Sequence, residues 1–66
     1  MRVWNIQDSF GQSGQVRLRR DGSLEVKNNG QRGWRLIKYI DISLFSDRDI
    51  ENTLKQTQGI SKVIRG

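Results

Sequence analysis

Several residue types are missing from this chain. Its 66 residues include no cysteine, no histidine and no proline. Without cysteine no disulfide framework can form, and the redox compartment is left open. Without histidine the usual general base and the commonest metal ligand are gone. Without proline no strand or helix carries an internal breaker. Long apolar runs are also missing. No stretch approaches the ~18–20 residues needed to cross a bilayer. The opening Met-Arg-Val-Trp-Asn-Ile-Gln-Asp lacks the long apolar centre of a signal peptide. The expectation is cytoplasmic residence, in a cell or an infected host, with no membrane partner.

Length allows a single small domain, residues 1–66. A core this thin has no disulfide to support it, which leaves room for a partner or a second copy to complete it. The apolar patterning argues against disorder. Net charge is +5 and the pI is near 10.5. The charge is unevenly placed. Residues 11–40 carry Arg17, Arg19, Arg20, Lys27, Arg32, Arg35 and Lys38 against Asp21 and Glu25. Residues 41–54 carry Asp41, Asp47, Asp49 and Glu51 against Arg48. A basic segment is followed by an acidic one.

From Val16 to Leu36 apolar and polar residues alternate, with two Gly-containing breaks. A period of two predicts a β-meander with one apolar and one polar face. For the first hairpin, a three-residue loop Arg20-Asp21-Gly22 pairs Leu18 with Leu24, Val16 with Val26 and Arg17 with Glu25. A two-residue loop would set core side chains against charges, so the longer loop is preferred. For the second, a five-residue loop 28–32 pairs Val26 with Trp34, Leu24 with Leu36 and Glu25 with Arg35. The expected inward face is Val16, Leu18, Leu24, Val26, Trp34 and Leu36. The expected outward face is Arg17, Arg19, Glu25, Lys27 and Arg35, followed by Ile37 and Tyr39.

Arg2 to Ile6 reads as a short strand and 7–15 as a loop, from which Phe10 could tuck back onto the core. The third meander strand runs from Trp34 to about Ser43, either central or leaving the sheet near Lys38. Ser46 reads as a helix N-cap with Asp49 three residues on, a near capping box, and Phe45 and Ile50 as a hydrophobic staple. The helix is expected over 47–58, with Gly59 at C′ and Ile60 folding back on Leu54. Ile60 to Arg65 reads as a final strand able to pair with the first. The fold class is therefore α+β: a three-stranded antiparallel β-meander, one C-terminal helix and short terminal strands.

The functional reading follows from the polar face. Arg17, Arg19, Lys27 and Arg35 are spaced to contact phosphates across adjacent strands, with Arg20 and Arg32 in the flanking turns. Tyr39 is the aromatic best placed to stack on a base, while Trp34 is assigned to the core. The expected partner is nucleic acid, DNA before RNA. The alternative is an acidic protein partner, with a homo-oligomer as a variant in which basic sheet meets acidic helix. Asp47, Asp49 and Glu51 are explained by helix capping and the helix dipole, so no metal is expected. The paired glycines are turns and not phosphate loops. With no Cys, no His and no Ser beside a suitable base, no enzymatic activity and no cofactor are expected.

Two resemblances represent the two classes. Arg19-Arg20-Asp21-Gly22-Ser23-Leu24-Glu25-Val26, then a basic turn, a strand and a helix, resembles the small AP2-like domains of tyrosine recombinases. It covers about residues 14–58 and implies binding of arm-type DNA through a three-stranded sheet. The helix here is more acidic than in that family. Asp49 to Ile64 is similar in outline to the small linker domains of cyanobacterial light-harvesting antennae, which implies packing into a protein assembly. That family's N-terminal half is not visible here. The leading expectation is a small basic nucleic-acid-binding protein, an accessory or regulatory factor of a mobile element or virus. The runner-up is a non-catalytic adaptor, linker or inhibitor.

Overall fold

The computed structural model describes residues 2–57 and 59–66. The elements are β1 (Arg2–Asp8), β2 (Ser13–Leu18), β3 (Ser23–Asn28), β4 (Arg35–Tyr39), α1 (Asp47–Gln56) and β5 (Ile60–Arg65). The strands form one antiparallel sheet in the order β4-β3-β2-β1-β5. The protein is thus a small α+β unit, with α1 lying on one face of five strands. No helix among the described residues is long and apolar enough to cross a membrane.

The terminal strands are full members of the sheet. β1 lies between β2 and β5, and the stretch expected to be a loop over 7–15 is mostly strand. A tight turn joins β1 to β2, with the Asp8 carboxylate accepting the backbone N–H groups of Phe10 and Gln12, both at 2.9 Å. Phe10 sits at the tip of this turn and is 90% exposed, so it does not reach the core.

The first predicted hairpin register is the observed one: Val16 faces Val26, Arg17 faces Glu25 and Leu18 faces Leu24. The loop is Arg20-Asp21-Gly22, closed by the Arg19 N–H donating to Ser23 O at 3.0 Å. Gly22 has φ +91°. A side chain there would be strained, and its Cβ would also run into the carbonyl oxygen of Ile40. The Gly22 carbonyl itself accepts the Ile40 N–H at 2.9 Å.

The second register differs from expectation by one residue. Val26 faces Arg35 and Glu25 faces Leu36, while Leu24 faces Lys38 and Ser23 faces Tyr39. Ile37 is the extra residue of a bulge, and it packs against the core with Ile40. The apolar residues 34–40 fall on both parities, so no unbroken alternation could bury Leu36 and Ile37 together with Ile40. The bulge turns Ile37 inward and leaves Trp34 and Leu36 on the other face. β4 is an edge strand and ends at Tyr39.

The core comprises Trp4, Ile6, Val16, Leu18, Leu24 and Val26 from the sheet, closed by Ile50 and Leu54 from α1. α1 begins at the predicted cap, with both hydrogen bonds of a Ser46–Asp49 capping box. Phe45, the expected staple residue, packs half-buried against the core. The helix ends earlier than predicted. Its C-cap is Thr57 in an extended conformation, so Gly59 at φ +91° belongs to the turn into β5 rather than to a helical cap. The expected last helical residue, Gln58, lies outside the described residues. Ile60 packs against the core as expected.

Polar side chains fasten α1 to β1 and β5. Trp4 is 1% exposed, and its indole N–H donates to Glu51 Oε2 at 2.8 Å. Arg65 Nε donates to the same oxygen at 2.7 Å. Arg2 pairs with Asp47 at 2.6 Å. The Arg65 guanidinium, and then the Trp4 N–H, hold the Glu51 carboxyl below its ordinary value.

This packing can be tested at Gly22 and at Glu51. Gly22→Ala should lower stability by about 1–3 kcal/mol from backbone strain alone. Its obstruction by Ile40 should make it costlier than Gly30→Ala, where φ is +90° but the space is open. Urea denaturation of both variants checks this; equal costs refute the close approach. For Glu51, a lowered native pKa means that the unfolded chain binds the proton more readily. The stabilisation is therefore full above the unfolded value near 4.5 and is lost as pH falls through the native value. Glu51→Gln should be less stable than wild type at pH 7, and the gap should narrow below pH 4.5. A gap that stays constant into acid contradicts the linkage.

Candidate nucleic-acid interface

A single helix covers a single face, so the opposite face of the sheet is open. Strand pairing orders its side chains into rows. From β5 towards β4, one row reads Ile64, Asn5, Gln15, Lys27. The next reads Val3, Arg17, Glu25, Leu36. A third, beside the β2–β3 turn, holds Arg19, Ser23 and Tyr39. Lys62 stands opposite Gln7 and shares a shallow depression with Asn5, Gln15 and Ile64.

At the centre of this face lies a three-part stack. Arg17 Nε donates to Glu25 Oε1 at 2.7 Å. The guanidinium carbon lies 4.1 Å from the centroid of the Trp34 ring. At that distance the cation is attracted to the negative π-face of the indole. Trp34 reaches this position because the β3–β4 register places it one residue before Arg35, on the Lys27 side of the sheet. It is half-buried. The expectation that Trp34 and Leu36 belong to the core is therefore corrected: Leu36 is 45% exposed and Trp34 covers an ion pair on the open face.

Of the residues singled out from sequence, Arg17, Arg19, Lys27 and Tyr39 come together on this face. Arg20 joins them at its rim, where Arg17, Arg19, Arg20 and Asp21 line one open depression. The Asp21 carboxyl is held below its ordinary value by the Ser23 hydroxyl and then the Ser23 N–H, so it stays ionised beside these cations. Tyr39 is 69% exposed. Arg32 is exposed in the β3–β4 loop. Arg35 is not part of the site. The one-residue shift puts it opposite Val26, on the helix side, where it borders a groove of ≈350 Å³ with Ile6, Ile37, Thr57 and Ile60. Ile37, expected to flank Tyr39 outwardly, faces inward for the same reason.

The open face thus carries Arg17, Arg19, Lys27 and Lys62 against the carboxylate of Glu25. Among the described residues, ion pairs form only at Arg2–Asp47, Arg17–Glu25 and Arg65–Glu51. Arg19, Arg20, Lys27 and Lys62 have no described carboxylate within pairing distance, and the Arg17–Glu25 bond uses Nε, leaving the Arg17 Nη donors free. The acidic residues of α1 are engaged structurally: Asp47 with Arg2, Asp49 with the cap, Glu51 with Arg65 and Trp4. Sequence reasoning misses Lys62. No local alternation carries the signal, because Ile60 and Val63 both pack against the core yet are three residues apart; Lys62 is turned outward by its pairing opposite Gln7, beside the irregularity at Gln7/Asp8.

Comparisons with protein families, curated proteins and solved structures gave no match. Function must therefore be read from the geometry and chemistry of the face itself.

The two tryptophans should behave oppositely in stability measurements. Trp4→Ala should cost about 3–5 kcal/mol, the usual range for a buried aromatic. Trp34→Ala should cost about 0.5–1.5 kcal/mol, since it loses a partly solvated stack. Chemical denaturation decides, and similar large losses would return Trp34 to the core.

Proposed function

We propose that this protein binds nucleic acid through the open face of its sheet. The observation that carries the reading is that four cations with no carboxylate partner among the described residues, Arg19, Arg20, Lys27 and Lys62, lie on the face that also presents Trp34 and Tyr39. Cations supply sequence-independent attraction to a phosphate backbone, and each engaged phosphate releases condensed counterions. Aromatic rings among cations add contact with bases. Arg17 has a supporting part: it holds Trp34 in place while its Nη donors add a further positive end to the face. DNA is the first partner to test, with RNA second.

A second reading has its own observation. Leu36, Tyr39, Ile42 and Leu44 are all exposed, Leu44 at 74%, and they follow one another along the β4 edge and the turn after it. An apolar strip beside an open sheet edge suits a protein partner or another copy of the chain. That partner would make the protein an assembly component.

The test is a titration with DNA and RNA oligonucleotides at about 50 and 200 mM salt, where contact with several phosphates predicts a steep loss of affinity. The triple variant Arg19→Ala/Arg20→Ala/Lys27→Ala should bind at least ~10-fold more weakly and with a shallower salt slope. Arg35→Ala, on the other side of the sheet, should bind as wild type does. Unchanged affinity in the triple variant sinks the nucleic-acid reading. Sedimentation that shows concentration-dependent assembly, abolished by Leu44→Asp, supports the second.

A further inference from the structure

We propose that the open face takes a single strand rather than a duplex, with one base stacked on Trp34 and neighbouring phosphates held by Arg19, Arg20 and Lys27. This rests on the nucleic-acid reading and sharpens it.

Width is the first argument. Four interstrand spacings of about 4.8 Å make the sheet about 19 Å across. The major groove of B-DNA is about 12 Å wide and admits a helix or a two-stranded ribbon. A five-stranded sheet of this kind cannot enter it. Nor is there a basic helix to take its place, because α1 carries Asp47, Asp49 and Glu51 and is fastened to the sheet. A duplex could touch the face only with its phosphate ridges. A single strand can lie flat across it and turn its bases inward.

Preorganisation is the second. The Arg17 guanidinium occupies one face of the Trp34 ring at 4.1 Å, and Glu25 pins that guanidinium at 2.7 Å. The ring is thus oriented before any ligand arrives, which reduces the ordering cost of binding. Trp34 is only half-buried, so indole surface remains for a base. The resulting order is base, indole, guanidinium, carboxylate. Arg35, next to Trp34, faces Val26 while Tyr39 faces Ser23, so the two aromatic residues are set four β3 residues apart, about 13 Å at strand spacing. Tyr39 therefore meets a different base and does not clamp the same one. Stacking of this kind accepts any base, because every base has a π-face.

The experiment uses the full chain and three labelled probes at about 50 mM salt: a single-stranded DNA of about 12 nucleotides, the matching duplex, and a strand of equal length made wholly of abasic sites. Fluorescence anisotropy gives the affinities, and tryptophan emission reports on the stack. The expected result is that the single strand binds at least ~10-fold tighter than either other probe and quenches emission. Trp34→Ala should lose roughly 5- to 150-fold for the single strand and little for the abasic strand. Trp34→Phe, which keeps a ring, should retain most of the affinity. If the duplex or the abasic strand binds as tightly as the single strand, stacking is overturned and the nucleic-acid reading stands on phosphate contacts alone. If no probe binds, both fail. The comparison of probes needs only wild-type protein, so it decides the matter even where Trp34→Ala folds poorly.

Discussion

One helix has to serve five strands. α1 closes the core with two fully buried side chains, Ile50 and Leu54, and can do so on one face only. The apolar row of Trp4, Ile6, Val16, Leu18, Leu24 and Val26 sets which face that is, and Glu51, accepting from both the Trp4 N–H and Arg65, ties the helix to it at β1 and β5. Burying Trp4 without a partner for its N–H would carry a desolvation cost, and Glu51 removes it. Everything on the opposite face must then tolerate water, or meet a ligand.

That constraint separates two sets of charged contacts. On the covered side, carboxylates of the helix meet arginines of the flanking strands, and the pairs help dock one layer on the other. Away from the open side Arg35, Lys38, Arg48 and Lys55 have no carboxylate partner among the described residues, and on the open side the same holds for most cations. The Arg17–Glu25 pair is the exception, and it is the one that a tryptophan covers.

The hairpin from Val16 to Val26 is fully legible in the sequence because its two faces differ in chemistry and one loop length alone keeps them apart. The helix start is legible because capping is local, resting on Ser46 and Asp49. The second hairpin is not, because Trp34, Leu36, Ile37 and Ile40 are apolar on both parities and alternation cannot choose between them. The choice is made by contacts distant in sequence: Arg17 offers Trp34 a cation, and the core takes Ile37. Arg35 moves to the helix side with the same slip. Lys62 joins the site through pairing of β5 with β1, a juxtaposition of residues more than fifty apart that no local pattern contains. Arg17, Arg19, Arg20, Lys27 and Tyr39 can be found because the first hairpin and the strand ends happen to carry them. Neither the AP2-like nor the linker-like resemblance is supported by a match among families, curated proteins or solved structures.

The position of β1 has a consequence for how the chain assembles. The meander β1 to β4 is built from neighbouring segments and can form early, but the outer edge of β1 is satisfied by β5, more than fifty residues later in sequence. Until residues 60–65 arrive, β1 presents a row of unpaired backbone groups, and Trp4 lacks the arginine that shares its carboxylate. Closing that long loop is slow compared with local hairpin formation. A chain in which β5 is not yet made, or has been removed, would therefore expose a sticky edge, and the pairing of β5 is the latch that ends this exposure.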